Sequence, residues 1–103
     1  MAVPQYLRSV ESSRQVEAIE ILAEIRRAEY RYNAKAGHFT GELADLSFED
    51  AELLDDPFFA FDIPSATKST FILRALRNDS KRLKETPAYA ITMDHKGNLN
   101  RGI

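Results

Sequence analysis

The chain contains two histidines, His38 and His95, which are the side chains best suited to proton transfer or metal binding near neutral pH. A metal or acid–base site needs several such groups that converge. The two histidines lie far apart in the sequence, and neither stands in a spaced pair typical of metal ligands. The chain has no cysteine, which excludes thiolate ligands, thiol catalysis and disulfide bonds. The sequence therefore predicts two ordinary loop histidines, no metal and no cofactor.

Charged side chains of opposite sign form two separate blocks. Residues 42–56 carry seven acidic residues and no base, and residues 68–84 carry six bases and one acid. Clustered carboxylates can bind calcium, and clustered cations can bind phosphates. The acids, however, do not have the spacing of a calcium-binding loop. The formal net charge of −2 also gives no general attraction to nucleic acid. We interpret each block as a solvated or partner-facing surface and expect no nucleic-acid binding.

The length and composition indicate one globular domain without catalytic motifs. The 103 residues match one domain, and we predict a single domain over residues 1–103. A hydrophobic content of 44% and a charged content of 29% are typical of a globular chain. The sequence holds no nucleophile motif, phosphate-binding loop or dinucleotide-binding fingerprint. We therefore predict that the protein is not an enzyme.

Residues 5–36 are predicted to form one long helix. Pro4 suits the first helical turn, because its missing N–H would be unpaired there in any residue. Lys35 lies in the last turn and Gly37 follows, which together mark the C-terminal end of the helix. Apolar residues recur at spacings of three and four, so they share one face that we expect to pack on the core. This predicted core face comprises Ala18, Ile21, Leu22, Ile25, Ala28 and Tyr32.

The predicted helix is too long for its domain. Thirty-two residues at about 1.5 Å each span roughly 48 Å, whereas a compact domain of about 100 residues has a radius of gyration near 13 Å. The strong apolar face begins near Val16, and before it the large apolar residues are Tyr6, Leu7 and Val10. We therefore expect the first half of the helix to project from the domain, and we call it the stem.

The apolar residues change to an alternating pattern in the second half of the chain. Aromatic and β-branched residues at every second position predict antiparallel strands, with one face of each strand turned toward the helix. Residues 37–57 precede them and are predicted to form an ordered connection laid over the core. This order of elements predicts an α+β fold, with the helix on one face of a sheet of three or four strands. The predicted strands are 58–64, 70–77, 88–94 and a short edge strand within 99–103.

Several segments of the sequence resemble those of type IV pilins and of the related pseudopilins of type II secretion. "AVPQY" at 2–6 is similar to the end of the pilin N-terminal hydrophobic segment. "SRQVEAIEILAEIRRAEYRYNAKAGHFT" at 13–40 resembles the second half of the pilin spine helix, including Gly37, an aromatic and a Thr. "ELADL" at 42–46 resembles the loop that follows, and the sequence "DHKGN" at 94–98 resembles a turn near the pilin C-terminus.

The resemblance implies a pilin-like fold, with spine helix 1–36, αβ-loop 37–57 and antiparallel sheet 58–103. It also implies a structural subunit that polymerises non-covalently through its N-terminal helix. We expect an apolar segment of about 20 residues to be missing before Pro4, since that is the length a bilayer requires. The resemblance further implies location in the bacterial inner membrane before assembly, and afterwards in a periplasmic or extracellular filament. The implied assembly residues are Pro4, Tyr6, Leu7 and Val10.

The implied partners are other copies of the chain, other pilin-like subunits, the inner-membrane assembly machinery and, through the missing segment, the membrane. The two charged blocks suit head-to-tail contact between neighbouring subunits of such a filament. Two alternatives stay open: a pseudopilin of a type II secretion system, and a minor pilin that acts as an adhesive or DNA-binding module. The predicted subunit-contact residues are Glu49, Asp50, Glu52, Arg77, Arg82 and Lys84.

Overall fold

A single long helix, α1, spans Gln5–Ala36 in the computed structural model, as the sequence predicts. The structure describes residues 5–48, 52–78 and 89–100, with side chains from residue 12 onward. Helix α1 ends where Gly37 adopts a φ of 82° and its N–H donates to the Asn33 carbonyl at 2.8 Å. Glycine reaches this left-handed conformation without the steric cost of a Cβ atom, and so it terminates the helix.

The apolar face of α1 packs on the core from Ala18 onward. Ala18, Ile21, Leu22, Ile25 and Ala28 are buried, and Tyr32 is half-buried at the edge of the core. The sequence pattern placed the start of this face near Val16, but the Val16 side chain is 54% exposed. The difference follows from helix geometry, because two residues correspond to a rotation of about 200° and place Val16 on the side opposite Ala18.

Four antiparallel strands form one sheet in the order β1-β2-β3-β4. Strand β1 is longer than predicted, and its register with β2 shifts between Asp62 and Ser65. Pro64 lies within the shift, where its lack of a backbone N–H is tolerated on an edge strand. Of the predicted strand at 99–103, Leu99–Asn100 is a strand and residues 101–103 lie outside the described residues. The strands are β1 (Phe59–Ala66), β2 (Phe71–Arg77), β3 (Ala90–Asp94) and β4 (Leu99–Asn100).

The sheet covers α1 with one apolar face. Alternating residues of β1, β2 and β3 turn inward, as the period of two predicts. Phe61, on the same face of β1, is half-buried and packs against the core. The buried residues that the strands and Tyr89 contribute to the core are Phe59, Ile63, Phe71, Leu73, Ala75, Tyr89, Ile91 and Met93.

The connection between helix and sheet lies over one side of the core. Phe39 and Leu46 are buried, and a single turn of 3₁₀ helix at Leu43–Asp45 lies between them. Phe39 packs edge-to-face on Phe71, with ring centroids 4.7 Å apart, and so fastens the start of the connection to β2. We call α1 from Ala18 onward, the connection 37–57 and the sheet together the head.

The molecule is elongated along α1. Its principal extents are 48 × 24 × 18 Å, and the longest one equals the length of about 48 Å expected for a 32-residue helix. No helix in the described part of the chain combines the length and the apolar character needed to cross a membrane.

Candidate assembly surfaces

The stem is the part of α1 that precedes the core-facing residues. Pro4 lies outside the described residues, and Tyr6, Leu7 and Val10 lie in α1 before the point from which side chains are described. Ser12 and Ser13 are exposed. Arg14 contacts the head, because its guanidinium lies 3.8 Å from the centre of the Phe58 ring.

An acidic groove runs between α1 and the connection, with a volume of about 480 Å³. Glu17, Glu20 and Glu24 repeat at spacings of three and four, so they share one side of the helix. The Arg27 guanidinium binds the Glu24 carboxylate and neutralises part of this charge. The groove is lined by Glu17, Glu20, Ile21, Glu24, Arg27, Leu53 and Asp56.

The groove enlarges the acidic surface that the sequence predicted from the connection alone. Of the predicted contact residues there, Glu52 is exposed, and Glu49 and Asp50 lie outside the described residues. Helical spacing already placed the three helix glutamates on one face. No local pattern in the chain predicts that Leu53 and Asp56 line the groove beside that face, because the contact joins residues distant in the sequence.

Arg77 lies inside the subunit and not on the surface that the sequence suggested. Its side chain is only 4% exposed, and its Nη1 donates to the Phe58 carbonyl at 3.0 Å. Its guanidinium also lies over the rings of Phe58 and Phe59, at 5.3 and 5.5 Å. Arg77 occupies an inward position of β2 at the end of the core, where the aromatic rings cover it. Its charge therefore acts within the head.

Two other bases of the block at 68–84 lie in the described part of the chain, Arg74 and Lys68. Arg74 binds Asp62 across the outer face of the sheet, with Nε 2.9 Å from Oδ1. Lys68 is exposed in the turn between β1 and β2. Arg82 and Lys84 lie outside the described residues, so their predicted role as subunit contacts stays a prediction.

The turn between β3 and β4 is bound to the middle of α1. The His95 carbonyl accepts hydrogen bonds from Arg26 Nε at 2.9 Å and from the Tyr30 hydroxyl at 2.7 Å. Asp94 shapes the turn, because its Oδ1 accepts from the N–H groups of Lys96 and Asn98 at 2.9 and 2.8 Å. The Asn98 N–H is the main reason that the pKa of Asp94 lies below its ordinary value.

The two histidines occupy separate environments. The His38 ring lies 5.6 Å from the Tyr32 ring, and the His95 ring lies 6.3 Å from the Phe71 ring. Within the described ranges, no three His, Cys, Asp or Glu residues are grouped so that they could hold a metal ion.

A buried carboxylate, Glu29, joins α1 to the connection. Its side chain is 0% exposed, and its Oε1 accepts a hydrogen bond from the Thr40 N–H at 2.9 Å. Thr40 in turn donates its hydroxyl to Asp45 Oδ2 at 2.7 Å. Sequence reasoning missed Glu29, although its position four residues after Ile25 places it on the core face of the helix.

Comparison with solved structures identifies the fold. No protein-family profile matches the sequence, and no curated protein sequence is significantly similar to it. The structure is similar to the crystal structure of PilV, a non-core minor pilin of Neisseria meningitidis, with a TM-score of 0.67 and 20% sequence identity. The similarity covers 88% of this chain and 86% of that one. One long N-terminal helix on a four-stranded antiparallel sheet, shared with a pilin over most of both chains, shows that the protein has a type IV pilin-like fold.

Proposed function

We propose that the protein is a structural subunit of a type IV pilus-like filament and that it polymerises non-covalently through its N-terminal helix. In this proposal the stem packs against the stems of other copies or of other pilin-like subunits. An apolar segment before Pro4 anchors the subunit in the bacterial inner membrane, where the assembly machinery receives it. The assembled filament is periplasmic or extracellular.

The observation that carries this proposal is that α1 begins well before the first of its described residues that is buried in the head. The buried helix residues that are described all lie from Ala18 onward, whereas α1 begins at Gln5. Helix α1 therefore extends more than three turns before Ala18, the first buried residue among its described side chains. An isolated helical extension is marginally stable in water, so a helix of this kind normally gains its stability from packing against other elements. Neighbouring subunits would supply that packing.

The acidic surface supports a contact between heads. The described residues Glu17, Glu20 and Asp56 line the groove beside the acidic connection, and the remaining predicted contacts Arg82 and Lys84 are of opposite sign. Exposed ion pairs contribute only about 0–1 kcal/mol each and are screened by salt. The charges would therefore set the register of subunits, and the stem would supply most of the binding free energy.

A minor pilin is the second candidate, and the named role of the structural neighbour favours it. PilV is described as a non-core minor pilin, and in this candidate the present chain would be a minor pilin that acts as an adhesive or DNA-binding module. A pseudopilin of a type II secretion system is the third candidate, because it would use the same stem in another machine.

Immunogold electron microscopy with antibodies against the head would separate these candidates. Cells that express the natural gene should show label along surface filaments if the protein is a principal subunit. Sparse or terminal label would indicate a minor pilin, and label confined to the periplasm would indicate a pseudopilin. Filaments without label, with the protein purified only as a free monomer, would contradict the proposal.

A pair of variants in the stem provides the matched test of mechanism. Leu7→Arg places a charge at a predicted apolar position of the stem and should abolish labelled filaments. Ser12→Arg places the same charge at an exposed position of the same helix and should leave them largely intact. Circular dichroism of the purified 103-residue chain should be the same for both variants. Filaments of normal number with Leu7→Arg would rule out assembly through this face of the stem.

A further inference from the structure

Glu29 lies completely within the head, yet among the described residues only one of its two carboxylate oxygens has a partner. Oε1 accepts the Thr40 N–H at 2.9 Å, and Oε2 is buried without a hydrogen bond to the described part of the chain. A buried carboxylate is stable as an anion only when its oxygens are well paired, because removal from water disfavours the charge. Glu29 is therefore an unfavourable place for a negative charge.

The charged groups around Glu29 come from the connection and from its own helix. Asp45 adds a like charge, and His38 acts in the opposite direction. On α1, Arg26 lies nearly one turn away and is engaged with the His95 carbonyl. The inward residues of the sheet are apolar in its described part, except Arg77, which binds the Phe58 carbonyl.

These surroundings favour the protonated form of Glu29. Burial is the main cause that raises its pKa above the ordinary value, and Asp45 acts in the same sense. The hydrogen bond from Thr40 lowers the pKa in part, and so does His38. The net direction agrees with the geometry, since one peptide N–H offsets only part of the cost of burying an anion.

The segment that Glu29 contacts is a small hydrogen-bonded unit. Thr40 donates its N–H to Glu29 and its hydroxyl to Asp45, and it accepts from the Glu42 N–H at 3.1 Å. Phe39 and Leu46 bury the two ends of the segment. Separation of residues 39–46 from α1 would therefore break the bond to Glu29 and give its carboxylate access to water.

We propose that Glu29 is a proton-dependent latch, which holds residues 39–46 against α1 when it is protonated and favours their release when it is ionised. The reasoning is one of linkage. A carboxyl that binds its proton more tightly in the closed form than in the open form favours closure at low pH. As pH rises from the open-state pKa through the higher closed-state pKa, this advantage is lost. The opening equilibrium then increases tenfold for each unit by which the two pKa values differ.

Hydrogen exchange of the Thr40 amide measures this opening directly. Amide hydrogen-exchange rates would be measured by NMR between about pH 4 and pH 8. The ratio of each observed rate to the intrinsic rate of an unprotected amide gives the opening constant of that amide. The carboxyl carbon signal of Glu29 would be titrated in the same samples. We expect the opening constant of Thr40 to rise with pH, with the same midpoint as the carboxyl signal.

Three variants give the controls. Glu29→Gln keeps an oxygen that can accept the Thr40 N–H but carries no charge, so its opening constant should not depend on pH. Asp45→Asn removes a like charge and should move the midpoint to lower pH. Glu20→Gln changes an exposed glutamate of the same helix and should leave the profile as in the natural protein.

A Thr40 opening constant that stays level between pH 4 and pH 8 would overturn the latch, and so would a slope that persists in Glu29→Gln. If Glu29→Gln does not fold, the coincidence of the two midpoints in the natural protein still decides the matter. The measurement is made on the monomeric 103-residue chain, so its outcome is independent of whether the protein forms filaments.

Discussion

Replacement of Ile25 by alanine tests the packing of α1 on the sheet. Ile25 is 0% exposed and lies within the main apolar cluster. The change removes three carbon atoms, and at about 0.8 kcal/mol per buried methylene their transfer to water costs roughly 2.4 kcal/mol. The cavity left behind adds to this, because surrounding atoms relax only partly. We therefore expect the free energy of unfolding to fall by about 2–5 kcal/mol.

Val16→Ala is the matched control on the same helix. Val16 is 54% exposed, so the change removes little buried area. Alanine also has a higher helix propensity than valine, by several tenths of a kcal/mol. We therefore expect the unfolding free energy to change by no more than about 0.5 kcal/mol, with a slight gain as readily as a loss.

Urea unfolding followed by far-UV circular dichroism compares the two variants. The midpoint should fall for Ile25→Ala at an unchanged slope, because the area exposed on unfolding is nearly the same. Thermal melts should agree, since 1 kcal/mol corresponds to about 4–8 °C for a domain of this size. A loss below about 1 kcal/mol for Ile25→Ala, or an equal loss for Val16→Ala, would refute this assignment of the core face.

Three further predictions concern charged residues. Arg77→Ala should lower the unfolding free energy by about 1.5–3 kcal/mol, because the Phe58 carbonyl loses a charged donor. The double change Arg82→Glu and Lys84→Glu should leave the urea midpoint nearly unchanged and reduce filament number. Equal destabilisation by Arg77→Ala and by this double variant would contradict the assignment of Arg77 to the interior and of Arg82 and Lys84 to the surface. Asp94→Ala should lower the melting temperature at pH 7, because the lowered pKa of Asp94 means that its carboxylate stabilises the fold above the ordinary aspartate pKa. This difference should shrink as pH falls through the lowered pKa, and a difference that is constant with pH would exclude the effect.

Local signals in the sequence were sufficient to predict the elements of the fold. The spacing of Ile21, Leu22 and Ile25 predicted the buried face of one helix, and Gly37 predicted its end. Alternation in residues 71–77 predicted a strand with one inward face. These signals are reliable because helix and strand periods depend on residues that are neighbours in the chain. The resemblance to pilins, which depended on a few such segments, agrees with the fold of PilV.

The surfaces and the buried charges depended on contacts between distant parts of the chain. Arg77 belongs to a basic segment of the sequence that predicts an exposed surface, but in the structure the rings of Phe58 and Phe59 cover its guanidinium. Glu29 is one of several charged residues of α1, but in the structure it is buried and bonded to Thr40 of the connection.

The sequence by itself therefore determined the helix and its length, the strands, and their order along the chain. Only the tertiary structure decided which charges face water, which line the groove beside α1, and which are enclosed. The physical reason is that burial of a polar group depends on whether the packed chain brings it a partner. For Glu29 that partner is the Thr40 N–H, supplied by a segment that folds back only after α1 has ended.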